Sequence, residues 1–225
     1  MIKLILFDLD GTLVNSSVDI TNALNYAIAP SGLEKVTVEK TIGMVGEGLT
    51  KLIEKVVGEE KRAMVPEVVD RFLSFYSEHL ADFTLPYTGV KATLARLAGY
   101  RKAVISNKRE LLSERLLDKL GLAVYFDAVL GSDSVDERKP SPKPIFFLID
   151  KFSVRPEETI IVGDSAFDIE AGRAAGIRTV AVTYGFGEKE LIAGADFVID
   201  KMEELAGVLD SLRSNGSPTK KGAKC

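Results

Sequence analysis

Short apolar runs recur along the chain with helix-like stretches between them: Leu4 to Phe7, Ala103 to Ser106, Ala128 to Gly131, Thr159 to Gly163, Thr179 to Val182 and Phe197 to Ile199. The first, from Lys3 to Phe7, is apolar almost throughout, the pattern of a central parallel strand buried on both faces. Alternation of this kind predicts an α/β fold, a doubly wound, Rossmann-like parallel sheet with helices on both faces. Nearly a hundred residues separate the first run from the second, too many for one crossover helix. From about Val18 to Phe83 the periodicity is helical. One stripe is Val18, Ala23, Leu24, Ala27 and Ile28, another Leu49, Leu52, Ile53 and Val56, a third Val68, Val69, Phe72, Leu73 and Tyr76. The pattern predicts a small α-helical domain over 17–85, inserted into a core formed by 1–16 and 86–212. The chain should leave through Asn15 to Ser17 and return through Leu85 to Gly89, where Pro86 and Gly89 interrupt the pattern, so the two connections predict a hinge. The polar, lysine-bearing stretch 213–225 reads as a disordered, solubilising tail.

Composition narrows the function. With 46% hydrophobic residues in 225, the chain can build a proper core. A formal charge of -4 provides no footprint for nucleic acid, and no apolar run approaches the roughly 20 residues that span a bilayer. No secretory signal pattern is visible. The expectation is a cytoplasmic protein, monomer or homodimer, acting on a small molecule without nucleic acid or membrane partners. The single cysteine, Cys225, is the last residue, which removes disulfides, cysteine-rich zinc sites and a thiol nucleophile. The single histidine, His79, reads as a partly exposed helix residue. If the chain transfers phosphate, a carboxylate must attack.

The first run ends in Asp8-Leu9-Asp10-Gly11-Thr12. Asp8 and Asp10 are two apart, so both should point to one side at the carboxyl end of the strand. Like charges held close call for a cation between them, and a hard one with oxygen ligands, Mg²⁺ above all, answers best. Asp-Gly is also a common turn dipeptide. In open parallel sheets ligands bind beyond the carboxyl ends of the strands, so the residues after the other runs count as well. One run ends in Ser106-Asn107-Lys108 before a helix pattern near Arg109, which makes either an anion site or an ordinary helix cap. Another ends in Gly163-Asp164-Ser165 with Asp168 a turn further on, so four carboxylates should converge at one sheet edge. Lys139-Pro140-Ser141-Pro142-Lys143-Pro144 forms a stiff loop that can aim a lysine into the site or simply carry two solvated ones.

Together these segments resemble the haloacid dehalogenase superfamily of phosphohydrolases. Asp8 to Thr12 is similar to its first motif, Ser106-Asn107 to its second, Lys139 to Pro142 to its third and Gly163 to Asp168 to its fourth, in the right order. The likeness covers roughly residues 1–212, and the helical insertion resembles the family's small α-helical cap. It implies that Asp8 attacks phosphorus and forms an aspartyl-phosphate. Mg²⁺ is then held by Asp8, the backbone carbonyl of Asp10 and Asp164, with Asp168 in support. Asp10 acts as acid and base, while Thr12, Ser106, Asn107 and Lys139 meet the phosphoryl oxygens. An aspartate at the second position implies a phosphatase or a mutase. The cap segment around Gly46, Glu47 and Gly48, with Leu85 to Val90, resembles that of phosphoglycolate phosphatases, which makes those three residues substrate contacts and phosphoglycolate the first candidate. A sugar-phosphate mutase, a pyrophosphatase or nucleotidase of the same superfamily, and an inactive interaction module are the alternatives. Asn15 stands where relatives usually carry Asp, on the way into the cap.

Overall fold

Six parallel strands in the order β5-β4-β1-β6-β7-β8 form the sheet of the computed structural model, which describes residues 1–188, 192 and 194–214. They are β1 (Leu4–Phe7), β4 (Arg101–Ile105), β5 (Ala128–Leu130), β6 (Thr159–Gly163), β7 (Arg178–Val182) and β8 (Phe197–Ile199). Each corresponds to one of the apolar runs. β1 is central, with all four residues buried, and its alternation separates two cores. Leu4 and Leu6 pack with Ile145, Leu148 and Ala171 on one face. Ile5 and Phe7 pack with Leu94, Leu116 and Leu205 on the other. Those partners come from α7 (Lys143–Phe152) and α8 (Ala166–Ala174) below, and from α5 (Val90–Arg96), α6 (Glu110–Lys119) and α9 (Leu205–Ser214) above. The doubly wound α/β class read from the sequence is the class observed.

β4 starts two residues ahead of its apolar run because Lys102 is accommodated in the sheet. Its buried stem carries the ammonium to the backbone carbonyls of Leu97 (2.8 Å) and Tyr100 (3.1 Å), at the end of α5 where the helix dipole favours a cation. Arg213 and Ser214 belong to α9 instead of starting a tail. The remainder of that expected tail, 215–225, lies outside the described residues.

Between β1 and α5 lie four further α-helices: α1 (Ser17–Ile28), α2 (Val38–Ile42), α3 (Leu49–Val57) and α4 (Val65–His79). α1 packs on α4 through Ala23, Leu24, Ala27 and Ile28, as its stripe predicts, but Val18 is 37% exposed and Ile20 takes the inward place. The stripe in fact starts at Ile20, one helical repeat before Ala23 and Leu24, and Val18 falls on the other side. His79 ends α4, half exposed, its ring stacked on Phe75 and its Nδ1 2.7 Å from Asp82 Oδ2.

The connections on either side of these helices pair with each other. β2 (Val14–Asn15) and β3 (Leu85–Pro86) form a two-stranded antiparallel ribbon, Val14 opposite Pro86 and Asn15 opposite Leu85. Asn15 Oδ1 accepts hydrogen bonds from the backbone N–H and hydroxyl of Ser17, turning the chain into α1. Asp19, buried in the first turn of α1, accepts from the Phe83 and Thr84 backbone N–H groups and from the Thr84 hydroxyl at 2.6 Å. This carboxylate ties the outgoing helix to the returning strand. Asp19→Ala orphans those buried donors and should lower stability by roughly 1–3 kcal/mol in urea denaturation; an undiminished midpoint would contradict this.

Candidate active site

β4, β1 and β6 are adjacent and in register, Phe7 lying opposite both Val104 and Val162, so the residues that follow them emerge side by side. Asp8 follows β1, Ser106 and Asn107 follow β4, and Asp164 follows β6. Gly11 then reverses the chain at φ 90°, a conformation costly for residues with a Cβ. A Cβ there would also collide with the Asp164 carboxylate.

Three carboxylates meet at this edge. Oxygens of Asp8, Asp164 and Asp168 lie within 4.8 Å of one another, and all three residues are buried. Lys139, also buried, reaches Asp8 Oδ1 at 2.7 Å, Asp168 Oδ1 at 2.5 Å and the Ile105 carbonyl at 2.8 Å. The second oxygen of Asp168 accepts from the Ser165 backbone N–H and hydroxyl, closing a capping box at the start of α8. Asp164 accepts from the Thr12 hydroxyl at 2.8 Å and from the Phe186 N–H at 2.7 Å. Asp8 lines a cavity of about 110 Å³, and among the described residues no hydrogen bond reaches its second oxygen. A larger groove of about 750 Å³ at the opposite strand ends holds none of this cluster.

One ammonium does not balance three carboxylates. Burial pushes Asp8 well above the usual carboxylate range, with Lys139 opposing the shift and the charges of Asp168 and Asp164 adding to it. Burial, then the charge of Asp168, pushes Asp164 up to about 6. Burial pulls the Lys139 ammonium down, but Asp168 and Asp8 outweigh it and its pKa is raised. Buried hard oxygen donors carrying surplus negative charge fit a divalent cation such as Mg²⁺. Asp8 and Asp164 offer donors for it, Asp164 through oxygens that also accept from Thr12 and from the Phe186 and Gly187 N–H groups, while Asp168 is held by Lys139 and Ser165.

Several expected side chains stand elsewhere. The Asp10 carboxylate is outside the cluster: it accepts from Ser16 Oγ at 2.5 Å and from Lys108 Nζ at 2.9 and 2.7 Å. Strand geometry ends at Phe7, so the rule that residues two apart share a side no longer holds at Asp10. Thr12 gives its hydroxyl to Asp164, not to the cavity. The Glu47 carboxylate pairs with Lys55 at 2.5 Å on the helical side and does not line the cavity. Its neighbours Gly46 and Gly48, both at positive φ, do line it. Asn107 joins the two parts of the chain, its Nδ2 donating to the carbonyls of Gly46 (2.7 Å) and Lys139 (2.9 Å). Ser106 lines the cavity and its Oγ accepts from the Lys108 N–H, which leaves its own proton free to donate.

The sequence reading assigned no role to Lys108, Tyr76 or Phe186. Lys108 had a legible signal, since it directly follows Ser106-Asn107. Tyr76 was indistinguishable from a core position of the α4 stripe, and Phe186 sits in a glycine-bearing loop with no motif.

Residues 5–182 match the family model for haloacid dehalogenase-like hydrolases, and the chain belongs to that family. It is 37% identical to the phosphoglycolate phosphatase of Aquifex aeolicus over 93% of this chain and 97% of that one. A crystal structure described as a predicted phosphoglycolate phosphatase from Haemophilus somnus superposes with a TM-score of 0.85 at 30% identity, covering 92% of this chain and 98% of that one. CbbY from Rhodobacter sphaeroides, solved in complex with phosphate, gives 0.74 at 26% identity, over 91% and 96% of the two chains. Family and relatives place the chain among the phosphoric monoester hydrolases.

A cation held by Asp8 and Asp164 would compete with protons for the same oxygens. The raised pKa of Asp164 means that its charged form costs the metal-free fold stability as pH rises from the ordinary carboxylate value of 3.8 to about 6. Mg²⁺ affinity measured by calorimetry should accordingly rise about tenfold between pH 5 and pH 7. An affinity flat over that range would contradict the assignment of Asp164 as a ligand.

Proposed function

We propose that the chain is a Mg²⁺-dependent phosphatase of small phosphomonoesters that works through an aspartyl-phosphate on Asp8, with phosphoglycolate the first candidate substrate. The observation that carries this reading is the state of Asp8: it lines the cavity, with one oxygen fixed by Lys139 and the other free of hydrogen bonds among the described residues. The aligned relative named phosphoglycolate phosphatase supports the choice of substrate. A cavity of about 110 Å³ is small against the roughly 300–1,000 Å³ of pockets for drug-sized ligands, which favours a substrate of few atoms.

In this reading the free oxygen of Asp8 attacks phosphorus as the ester P–O bond breaks, and Asp10, once it has left Lys108 and taken up a proton from solvent, gives that proton to the departing alkoxide. Asp10 then takes a proton from the water that attacks the phosphoryl group, and phosphate and free Asp8 are regenerated. Asp8, Asp164 and the Asp10 carbonyl would hold Mg²⁺, whose contribution is to neutralise charge at the nucleophile and the phosphoryl oxygens. Lys139 and the Ser106 hydroxyl face the same oxygens, and Thr12 and Asn107 act by positioning Asp164 and the Gly46 loop. Helices α1 to α4, residues 17–85, serve as a cap over the core of 1–16 and 86–212, with the Val14–Asn15 and Leu85–Pro86 ribbon as hinge. A single cysteine in the whole sequence accords with work in the reducing cytoplasm.

Release of inorganic phosphate from a panel of phosphomonoesters with Mg²⁺ tests the reading. Phosphoglycolate should lead the panel, and Asp8→Asn should lower kcat by about 10⁴-fold or more with an unchanged circular dichroism spectrum. Isomer formation without net phosphate release, or an active Asp8→Asn enzyme, would overturn it.

A further inference from the structure

On the helical side the cavity is walled by Ile20, Leu49, Leu52 and Phe72. Against such a wall the unpaired hydroxyls of a sugar would be desolvated without compensation. Tyr76 on α4 adds a hydroxyl to this wall, and facing it from the core after β4 are the cations Lys108 and Arg109, of which Lys108 is held in the interior. The Lys108 side chain is only 8% exposed. An ammonium has three protons to donate, and all three have acceptors here: the two oxygens of Asp10 at 2.9 and 2.7 Å, and the Tyr76 oxygen at 3.0 Å. Burial pulls the ammonium pKa down, but Asp10 and Tyr76 more than reverse that, so the group stays charged. Burial pushes the Tyr76 phenol up to about 12, so it stays neutral and can also donate.

The arrangement places a fixed positive charge directly beside the proposed acid-base group, and it keeps Asp10 engaged away from Asp8. We propose that Lys108 is the specificity-determining residue of this enzyme: it recognises a carboxylate on the alcohol portion of the substrate, and the incoming carboxylate takes the place of Asp10 on its ammonium. This rests on the phosphatase reading above and deepens it. In an O–CH2–COO⁻ ester the carboxyl carbon is two bonds from the ester oxygen that Asp10 must protonate, so the groups that contact Asp10 are within its reach. Exchange of one carboxylate for another at Lys108 keeps the buried ammonium paired, whereas a neutral substrate that draws Asp10 away leaves it uncompensated. Recognition of the anion and release of Asp10 toward the leaving group thus become one event. Tyr76 extends the link to α4, because its hydroxyl bonds the same ammonium.

The test compares phosphoglycolate with its neutral amide, 2-phosphoglycolamide, on the Mg²⁺-loaded enzyme. The ratio of kcat/KM values should favour the acid by about ten- to a hundredfold, the worth of a charge-assisted hydrogen-bonded pair. Lys108→Gln should bring the ratio to within about threefold of one, and Lys108→Arg should restore most of the preference. A wild-type ratio near one with both compounds hydrolysed overturns this inference and leaves the phosphatase reading standing. So does a preference that survives in Lys108→Gln. Hydrolysis of neither compound, nor of any other phosphomonoester, overturns the phosphatase reading itself and this inference with it. Independently of how the Lys108 variants fold, a crystal structure of Asp8→Asn with phosphoglycolate should place the ligand carboxylate about 3 Å from Lys108 Nζ, with Asp10 turned off it. A carboxylate bound elsewhere overturns the assignment.

Discussion

Three buried carboxylates around one ammonium form the constraint on which the rest of this structure depends. Asp8, Asp164 and Asp168 would repel one another strongly in a dry interior, and Lys139 compensates only part of that charge. The fold tolerates the remainder because every carboxylate oxygen of the three except the second one of Asp8 is tied to something specific. Lys139 bridges two acids, α8 begins on Asp168, and Asp164 is held by Thr12 and two backbone N–H groups. The unsatisfied part of the charge faces the cavity, where a cation and a phosphoryl group can meet it. Stability is given up locally at the point where chemistry needs reactive, poorly compensated oxygen.

The sheet makes that concentration of charge affordable. β1 lies between β4 and β6 with its residues fully buried, and helices cover both faces, so the strand ends are rigid and in register. Gly11 clears the space that Asp164 occupies. On the other side of the cavity the helical segment is joined to the sheet by the β2–β3 ribbon and the Asp19 contacts. Asn107, Lys108 and Lys119 are core side chains that reach across, to the Gly46 carbonyl, to Tyr76 and to the Glu78 carbonyl. The helices are therefore coupled directly to the acids of the core.

Much of the architecture was legible in the chain because burial imposes periodicity. Each of the six apolar runs became a strand, and the helical stripes located the packed faces of α1, α3 and α4, with the register of Val18 as the exception. Which acids approach one another was legible for Asp8, Asp164 and Asp168, since each is fixed to the end of a strand or the first turn of a helix. It was not legible for Asp10, which lies past the end of regular structure and follows Lys108 and Ser16 instead. Glu47 escaped for a related reason: between two glycines at positive φ the backbone faces the cavity and the side chain turns to Lys55. The β2–β3 ribbon is too short to leave a pattern, and Tyr76 carries a polar function on a residue whose spacing reports only burial.

The most direct measurement is the identity of the atom that accepts phosphorus. Enzyme mixed with phosphoglycolate and Mg²⁺, quenched in acid within a turnover and mapped by peptide mass spectrometry, should carry one hydroxylamine-sensitive phosphoryl group, on Asp8. A phosphoryl group on any other residue, or turnover with no covalent intermediate at any quench time, would contradict the account.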